Sequence, residues 1–375
     1  MKIGIPAETK SGETRVAATA ETVKKLVAQG HEVFVQSGAG QTSAITDEIY
    51  ESAGATVLST GAEVLSSCEM ILKVRAPLEN ELGAYKKGQI VVGMLNPFDA
   101  EGLEALNKAG LTAFALEAAP RTTRAQSMDV LSSQANIAGY KAVMVAANEY
   151  QRFMPMLMTA AGTVKAARVL ILGVGVAGLQ AIATAKRLGA VIEASDVRPS
   201  TKEQVESLGA KFVDVPFETD EERECAEGVG GYAKAMPESW MKRQAQAVHE
   251  KAMKADIVIT TALIPGRKAP TLIHEETVKQ MKPGSVIVDL AVDQGGNCPL
   301  SKPNEVVDAN GVKIVGYGNL PAMVAADASQ LYARNVLDFL KLVFDKEAKF
   351  HIDMEDDIVA ACLMCADGEL KRKNA

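Results

Sequence analysis

The feature that most constrains the fold is an apolar run that leads directly into a Gly-x-Gly-x-x-Gly turn. Residues 169–172 have the pattern of a buried strand, and an alanine-rich helical pattern follows the turn. The glycines of the turn are Gly173, Gly175 and Gly178. In a βαβ unit the first glycine allows the tight turn, the second lets the backbone approach a pyrophosphate, and the third lets the helix pack on the strand. The next predicted strand, 191–195, ends at Asp196, a carboxylate placed to accept ribose hydroxyls. Together these elements predict a dinucleotide-binding site.

The composition bounds the class of protein. The chain has 375 residues, 47% hydrophobic and 23% charged, which is typical of a soluble globular protein with more than one domain. A formal net charge of −7 argues against nucleic acid or an anionic membrane surface as a direct partner. No signal peptide is recognisable, and the longest uncharged run, 169–185, holds the motif glycines, so we expect no direct membrane insertion.

The cysteines favour neither disulfides nor a metal. There are 5 of them, scattered along the chain, which suggests reduced thiols. Cys362 and Cys365 have C-x-x-C spacing, but no second Cys or His pair accompanies them. We therefore expect two ordinary thiols and no metal site.

Two blocks of alternating strand and helix patterns predict an α/β fold. The predicted strands of the first block are 3–5, 32–36, 70–74, 90–94 and 112–116. Those of the second block are 169–172, 191–195, 211–215, 257–261, 286–290 and 313–316. Helical patterns at about 136–153 and 326–344 precede and follow the second block. We expect two Rossmann-like domains, with mostly parallel doubly wound sheets separated by a cleft: 1–135 with 326–375, and 136–325.

Two further segments are unusual. The segment 120–134 concentrates arginines, an amide, a carboxylate and hydroxyls, so it suits either the nicotinamide and ribose of a nucleotide or a polar connector that caps the next helix. The segment 214–248 is acidic at its start and then rich in glycine. It is either a solvated surface loop or a mobile lid, and the mobile part would span about 216–245.

The motifs resemble those of proton-translocating nicotinamide nucleotide transhydrogenases, specifically their NAD(H)-binding component. The stretch Arg121-Thr-Thr-Arg-Ala-Gln126-Ser-Met-Asp129-Val-Leu-Ser132 resembles that family's Arg-Gln-Asp loop. The resemblance also covers the glycine turn, Asp196-Val-Arg198, Gly231-Tyr232-Ala-Lys, Thr260-Thr-Ala-Leu263-Ile-Pro-Gly266, Asp289-Leu-Ala-Val-Asp293-Gln-Gly-Gly-Asn297 and Val324-Ala-Ala-Asp-Ala-Ser329. It extends from residue 1 to about residue 345.

The resemblance implies a role for each matching residue. The catalytic positions, which align the nicotinamide for transfer, would be Arg121, Gln126, Asp129 and Ser132. Further nucleotide contacts from the same loop would be Met128, Val130 and Leu131. The pyrophosphate would lie by Gly173, Gly175, Val176, Ala177 and Gly178, and the adenosine ribose by Asp196, Val197 and Arg198. The rest of the pocket would include Gly231, Gln244 and Leu263, with Tyr232 on the mobile loop.

The expected nucleotide is NAD(H). Asp196 would accept ribose hydroxyls and repel a 2′-phosphate, although the nearby Arg198 could accommodate one. The resemblance implies that NADP(H) is bound by a partner subunit, and that hydride passes directly between the two nucleotides. It also implies a homodimer on the cytoplasmic side of the inner membrane, held there by partners that include a membrane-spanning proton-channel subunit.

Two alternatives of other kinds remain open. Alanine dehydrogenase shares the N-terminal pattern, in which Arg15 and Lys73 match its substrate-side cations, but its strand-end histidine is absent from Gly93-Met-Leu-Asn96. Oxidation of an amino acid needs a group that handles protons near neutral pH. We therefore expect Arg15 and Lys73 to be structural, paired with carboxylates. The other alternative is a catalytically silent nucleotide sensor. The segment 346–375 is either a last strand pair on the first domain or a tether.

Overall fold

The computed structural model describes residues 1–227 and 236–372, and the chain divides into two compact units. The first unit comprises Met1–Gln134 and Pro321–Ala375, and the second comprises Ala135–Leu320. The centre of the expected mobile loop, with Gly231 and Tyr232, lies outside the described residues.

The elements alternate as the sequence pattern indicates. Up to the second unit they are β1 (Lys2–Ile5), α1 (Ala20–Ala28), β2 (Glu32–Gln36), α2 (Asp47–Ser52), β3 (Thr56–Leu58), α3 (Gly61–Ser67), β4 (Met70–Arg75), β5 (Ile90–Met94), α4 (Ala100–Lys108), β6 (Thr112–Ala115) and α5 (Val130–Glu149). The second unit continues with β7 (Leu157–Thr159), β8 (Gly162–Val164), β9 (Arg168–Leu172), α6 (Val176–Arg187), β10 (Val191–Ser195), α7 (Thr201–Ser207), β11 (Lys211–Phe212), α8 (Asp220–Glu227), α9 (Glu238–Ala252), β12 (Ile257–Thr260), α10 (Glu275–Gln280), β13 (Val286–Asp289), β14 (Val306–Ala309) and β15 (Val312–Val315). The chain then returns to the first unit with α11 (Ala325–Val343), α12 (Asp357–Cys362), β16 (Leu363–Ala366) and β17 (Glu369–Leu370).

The first unit is built on an eight-stranded sheet in the order β17-β16-β6-β5-β4-β1-β2-β3. Strands β1 to β6 are parallel, and β16 joins the edge antiparallel to β6. The segment 346–375 therefore contains a strand pair on this sheet. Strand β5 is buried along its whole length, which is why its sequence is a continuous apolar run rather than an alternating one. The strand order reverses between β1 and β4, the position where doubly wound sheets bind ligands.

The second unit has a seven-stranded sheet in the order β11-β10-β9-β12-β13-β15-β14. Its first six strands follow the same order as β3-β2-β1-β4-β5-β6 of the first sheet. All neighbouring strands are parallel except β14, which pairs antiparallel with β15. Here the order reverses between β9 and β12, and the glycine turn follows β9. Strands β7 and β8 form a separate two-stranded hairpin. The two sheets confirm the expected α/β fold with mostly parallel, doubly wound sheets.

The structure corrects several boundaries. Helix α5 begins at Val130 rather than near 136, because the Asp129 carboxylate accepts hydrogen bonds from Ser132 and caps the helix earlier. Strand β6 ends at Ala115, where a 3-10 turn begins, and β11 ends at Phe212. The sequence pattern missed β3, β7, β8 and β14, which are too short or too polar for a clear period-two signal.

The length and polarity of the helices bear on membrane insertion. Over residues 1–227 and 236–372, we find no helix with both the length and the apolar character that a bilayer crossing requires.

Candidate nucleotide-binding site

The glycine turn between β9 and α6 has the geometry that its three glycines imply. Gly173 has φ of 93°, a left-handed conformation, and a Cβ there would lie 2.7 Å from Thr261 Oγ1. A Cβ on Gly178 would lie 2.0 Å from the carbonyl oxygen of Gly173, so any side chain would force the helix off the strand. Gly175, by contrast, faces open space. The turn is thus tightly packed behind and open in front.

Helix α6 offers its N-terminus to that open space. Gly175 is its N-cap, and among the described residues no side chain caps it. The first N–H groups of a helix lack intrahelical partners, and with the helix dipole they favour an anion. Val176, in the first turn, is 39% exposed, and Ala177 follows it. A pyrophosphate fits this end of the helix.

Asp196 follows β10 and is already engaged in hydrogen bonds. One carboxylate oxygen accepts from the Val174 N–H at 2.7 Å and from Arg198 Nη2 at 2.9 Å. The other oxygen accepts from the N–H and Nε of Arg198, both at 2.9 Å. Any ligand hydroxyl that bound this carboxylate would therefore share or replace the bonds from Arg198. The adjacent Val197 is half-buried against the small apolar cluster around Trp240.

The remaining expected pocket residues of the second unit are not all brought together. Leu263 lies in the loop after β12 and is 38% exposed. At the start of the same loop, the Thr261 hydroxyl donates to the Gly173 carbonyl oxygen at 2.8 Å. Gln244 is half-buried on α9, and in the portion of the chain that the structure describes no hydrogen bond joins it to the glycine turn.

In the first unit, the segment after β6 forms a cavity of about 300 Å³. Its lining residues are Pro120, Arg121, Thr122, Thr123, Ala125, Gln126, Asp129 and Ser132. All four residues expected to be catalytic therefore line one cavity. Arg121 and Gln126 are exposed, whereas Asp129 accepts from the Ser132 N–H at 2.8 Å and from its hydroxyl at 2.5 Å.

The same segment is anchored by its other side chains. Met128 is 7% exposed, Val130 exposes no surface, and both pack in the core of the unit, whereas Leu131 is 40% exposed. Arg124 pairs with Asp356 through two bonds of 2.6 and 2.7 Å and also contacts Asp357. The pairing with Arg124 lowers the pKa of Asp356 to about 2. The cavity thus has an anchored floor and exposed polar side chains at its rim.

The switch point of the first sheet is filled by buried ion pairs. Lys73 is 1% exposed and lies 3.6 Å from both Glu8 and Glu81. Arg15 is 2% exposed and binds Glu13 through two bonds of 2.7 Å. This confirms that Arg15 and Lys73 are paired with carboxylates.

The pKa values of Glu13 and Glu8 are shifted in opposite directions. Burial raises the pKa of Glu13, but the hydrogen bonds from Arg15 outweigh it and hold the pKa at about 2. Burial raises the pKa of Glu8, and the attraction of Lys73 offsets only part of that rise. Each cation is paired with a buried carboxylate of the chain itself. A ligand carboxylate could therefore bind Arg15 or Lys73 only if a buried ion pair were broken.

The structure adds one residue that the pattern left unnoticed. Gly139 lies inside α5, and a Cβ there would come 2.1 Å from the carbonyl oxygen of Ala177 in α6. A glycine inside a helix costs about 1 kcal/mol of stability relative to alanine. Its presence in the middle of a helical pattern was therefore the sequence signal that another segment packs closely there.

Comparison with known proteins agrees with this arrangement. Residues 4–138 match the family described as Alanine dehydrogenase/PNT, N-terminal domain, and residues 142–373 match Alanine dehydrogenase/PNT, C-terminal domain. The first part of the NAD(P) transhydrogenase subunit alpha of Rhodospirillum rubrum is 54% identical over 99% of this chain and 97% of its own length. The alanine dehydrogenase of Methanococcus maripaludis is 31% identical over 93% of this chain and 89% of its own length.

Solved structures show the same two relationships. The structure of transhydrogenase from Sinorhizobium meliloti has a TM-score of 0.89 and 48% identity, over 99% of this chain and 100% of that one. An L-alanine dehydrogenase has a TM-score of 0.80 and 29% identity, over 99% of this chain and 96% of that one. By both sequence and fold, the chain belongs to the alanine dehydrogenase/PNT family.

Proposed function

We propose that the chain is the NAD(H)-binding alpha subunit component of a proton-translocating NAD(P) transhydrogenase. It holds NAD(H), and hydride passes directly between NADH and NADP⁺ held on a partner subunit. Curated relatives named NAD(P) transhydrogenase subunit alpha, at 43–54% identity over nearly the whole chain, support this proposal.

The observation that carries the proposal is the open glycine turn at the switch point of the second sheet. Gly175 faces open space beside an uncapped helix N-terminus, which fits a pyrophosphate, and Asp196 stands at the end of the neighbouring strand for the ribose. The nicotinamide end is assigned to the cavity lined by Arg121, Gln126, Asp129 and Ser132. When bound, the dinucleotide supplies or accepts the hydride. The protein only has to orient the ring and exclude water.

An alanine dehydrogenase activity is the second candidate, and the first unit argues against it. The two cations that would bind an amino-acid carboxylate, Arg15 and Lys73, are buried and paired with the chain's own carboxylates. The loop that follows β5 carries Asn96, which cannot take up a proton near neutral pH as histidine does. Transfer between two nicotinamides needs no such group.

We also infer that the protein works as a homodimer. The β7–β8 hairpin pairs with no other described strand, and its neighbourhood exposes large apolar side chains: Phe153 at 57%, Met156 at 58% and Met158 at 76%. A lone two-stranded hairpin is marginal in water, so a second copy that covers it is the simplest stabilising arrangement.

The oligomer is tested by light scattering after gel filtration. The double variant Met156→Glu with Met158→Glu is expected to be monomeric, whereas Met241→Glu, a charge on the exposed face of α9, leaves the dimer intact. An unchanged dimer in the double variant would remove the hairpin from the interface.

The other proposed partners are an NADP(H)-binding subunit and a membrane-spanning proton-channel subunit. Through them the chain is placed on the cytoplasmic side of the inner membrane. We propose 1–135 with 326–375 and 136–325 as the functional domains; the compact units of the structure, Met1–Gln134 with Pro321–Ala375 and Ala135–Leu320, have slightly different boundaries.

The deciding experiment mixes the purified chain with an NADP(H)-binding partner component and follows hydride transfer from NADH to an NADP⁺ analogue. Arg121→Ala is expected to slow transfer about tenfold or more, because it removes a charged group from the cavity rim. Arg334→Ala is the matched control, since Arg334 is a partly exposed arginine of the same unit that pairs with Glu21, and its loss should affect stability rather than transfer. Activity only with L-alanine and NAD⁺ would overturn the proposal, and NADH binding without either activity would favour a nucleotide sensor.

A further inference from the structure

The loop that follows β13 is folded around one buried carboxylate. Asp289 is 1% exposed and ends β13. Its oxygens accept hydrogen bonds of 2.7–3.2 Å from Thr260, Ala291, Asn297, Cys298 and Ser301. A buried carboxylate with this many donors holds its surroundings firmly, because each lost bond would leave a charge without a partner.

Two glycines make this folding possible. Gly295 and Gly296 both have positive φ, 91° and 75°. A Cβ on Gly296 would lie 2.5 Å from Ser301 Oγ and 2.8 Å from the Asp289 carboxylate. The Gln-Gly-Gly-Asn sequence therefore turns the chain back, so that the amide side chains on either side of the glycines point toward the neighbouring loop.

The first of these amides, Asn297, joins both ends of the loop 262–270. The side chain is fully buried. Its Nδ2 donates to the carbonyl oxygens of Ala262 at 2.9 Å and Pro270 at 2.8 Å, and its Oδ1 accepts from the Ala262 N–H at 3.1 Å. Asn297 thus forms hydrogen bonds with three main-chain groups at the two ends of the loop.

The second amide, Gln294, holds the middle of the same loop. Its side-chain nitrogen, in the orientation that satisfies its neighbours, donates to the carbonyl oxygens of Ile264 and Arg267 at 3.2 Å each. Its main-chain carbonyl oxygen accepts from the Ala269 N–H at 2.8 Å. The loop 262–270 is therefore held by a neighbouring loop at its two ends and its centre.

This anchored loop lies against the glycine turn. Thr261, just before it, donates to the Gly173 carbonyl, and a Cβ on Gly173 would lie 3.0 Å from the Ala262 N–H nitrogen. Between the fixed points, Leu263 is 38% exposed and Ile264 is 41% exposed. Because the main chain of the loop is held at its ends and centre, these two apolar side chains remain exposed next to the segment that contacts the turn.

We propose that Asn297 and Gln294 are positioning residues that fix the loop 262–270, so that Leu263 and Ile264 form an apolar contact surface for the bound dinucleotide. The inference rests on the proposed function, since it needs a dinucleotide on the glycine turn. Neither residue touches the nucleotide, and both act through the main chain of the loop.

The experiment measures NADH affinity of the full-length chain by fluorescence titration. Asn297→Ala is expected to raise the Kd for NADH about tenfold, because it frees both ends of the loop, and Gln294→Ala less, because the ends remain held. Val312→Ala is the matched control, since it removes buried volume at the opposite, N-terminal end of a strand in the same unit. It should lower the melting temperature without changing the Kd.

Two further readouts separate positioning from general destabilisation. In a double-mutant cycle, Leu263→Ala should weaken NADH binding less in the Asn297→Ala background than in the wild type. Trypsin cleavage after Arg267 and Lys268 should accelerate in Asn297→Ala and Gln294→Ala but not in Val312→Ala.

The outcomes are distinct. An unchanged Kd in both amide variants, an additive cycle, or an equal loss of affinity in Val312→Ala overturns the positioning role while wild-type NADH binding leaves the proposed function standing. A wild-type chain that binds no NADH overturns the proposed function and this inference with it. Gln294 is exposed, so its variant keeps the test meaningful even if Asn297→Ala does not fold.

Discussion

At the scale of single residues, the two carboxylates assigned to the nucleotide are already hydrogen-bonded within the protein. Asp196 is satisfied by Arg198 and Val174, and Asp129 by Ser132. A ligand at Asp196 would therefore share or exchange hydrogen bonds, and both carboxylates are held in place before it arrives. The net gain from each exchange is small, which leaves selectivity to charge.

That reasoning predicts the nucleotide preference of an Asp196→Asn variant. The amide oxygen still accepts from Val174, but the negative charge that repels a 2′-phosphate is gone. The ratio of NADPH Kd to NADH Kd is expected to fall about tenfold, equal to about 1.4 kcal/mol. Fluorescence titration with both nucleotides measures it, with Asp214→Asn, an exposed carboxylate paired to Lys202, as the control. An unchanged ratio would mean that discrimination lies elsewhere.

Glu117 predicts a pH dependence of stability. Its carboxylate accepts from the N–H groups of Leu95 at 3.1 Å and Asn96 at 2.7 Å, but burial raises its pKa to about 7. Because this pKa lies above that of an unfolded glutamate, the stability contributed by the protonated group is complete below about pH 4.3 and is lost as the pH rises through about 7.

The Glu117→Gln variant should reduce the pH dependence of stability. The wild type is expected to lose on the order of 2 kcal/mol of unfolding free energy between about pH 5 and pH 8 through this group, and the variant should lose less. Denaturant titrations at the two pH values give the difference, and Glu101→Gln on the exposed face of α4 is the control. Parallel pH profiles of wild type and Glu117→Gln would contradict the prediction.

At the scale of elements, helix α5 and helix α6 meet without side chains between them. Gly139 faces the Ala177 carbonyl, and Gly178 faces the Gly173 carbonyl, so two close approaches set the position of the first turn of α6. Because the nucleotide is expected at that turn, helix packing and binding are coupled.

Gly139→Ala tests this coupling. In an open helix the change would stabilise by about 1 kcal/mol, but here the Cβ would meet a main-chain oxygen at 2.1 Å. We expect a destabilisation of about 1–3 kcal/mol and a weaker affinity for NADH, because Ala177 must move. Melting curves and NADH titration measure both, and Gly83→Ala, whose Cβ would face open space, is the control. A variant as stable as the wild type would show that the helices yield easily.

At the scale of the whole molecule, two sheets of the same strand order are used differently. The switch point of the second sheet is open and lined by glycines, whereas that of the first sheet holds Lys73 with Glu8 and Arg15 with Glu13. Duplicated architecture therefore does not imply a duplicated site, since side chains decide what each switch point can bind.

Substitutions in the buried ion pairs of the first sheet should therefore change the free energy of unfolding but not the affinity for NADH. Lys73→Met leaves Glu8 buried without its cation and is expected to cost about 3–5 kcal/mol of unfolding free energy. Adding Glu8→Gln should recover some of that loss, and the Kd for NADH should change less than about twofold in both variants. Denaturant unfolding and NADH titration measure the two effects. A folded Lys73→Met variant that loses NADH affinity or hydride transfer would show that the cluster serves the reaction directly.

The sequence by itself determined the features that depend on neighbours in the chain. The glycine turn, the acid at the end of β10 and the doubly buried strands such as β5 are legible because turn geometry and burial act over a few residues. The start of α5 was predicted too late although it also depends on neighbouring residues. Asp129 caps the helix only because its carboxylate turns toward Ser132, and the sequence does not show that orientation.

Only the tertiary structure decided the contacts between distant segments. It placed β16 beside β6, paired Arg124 with Asp356, neutralised Lys73 with Glu8, and anchored the loop 262–270 on Asn297. A side chain's hydrogen-bonding capacity is known from its type, but its partner depends on how the chain folds in three dimensions. For that reason the sequence could indicate which residues are able to bind a nucleotide, and only the fold could show which of them are already bound to one another.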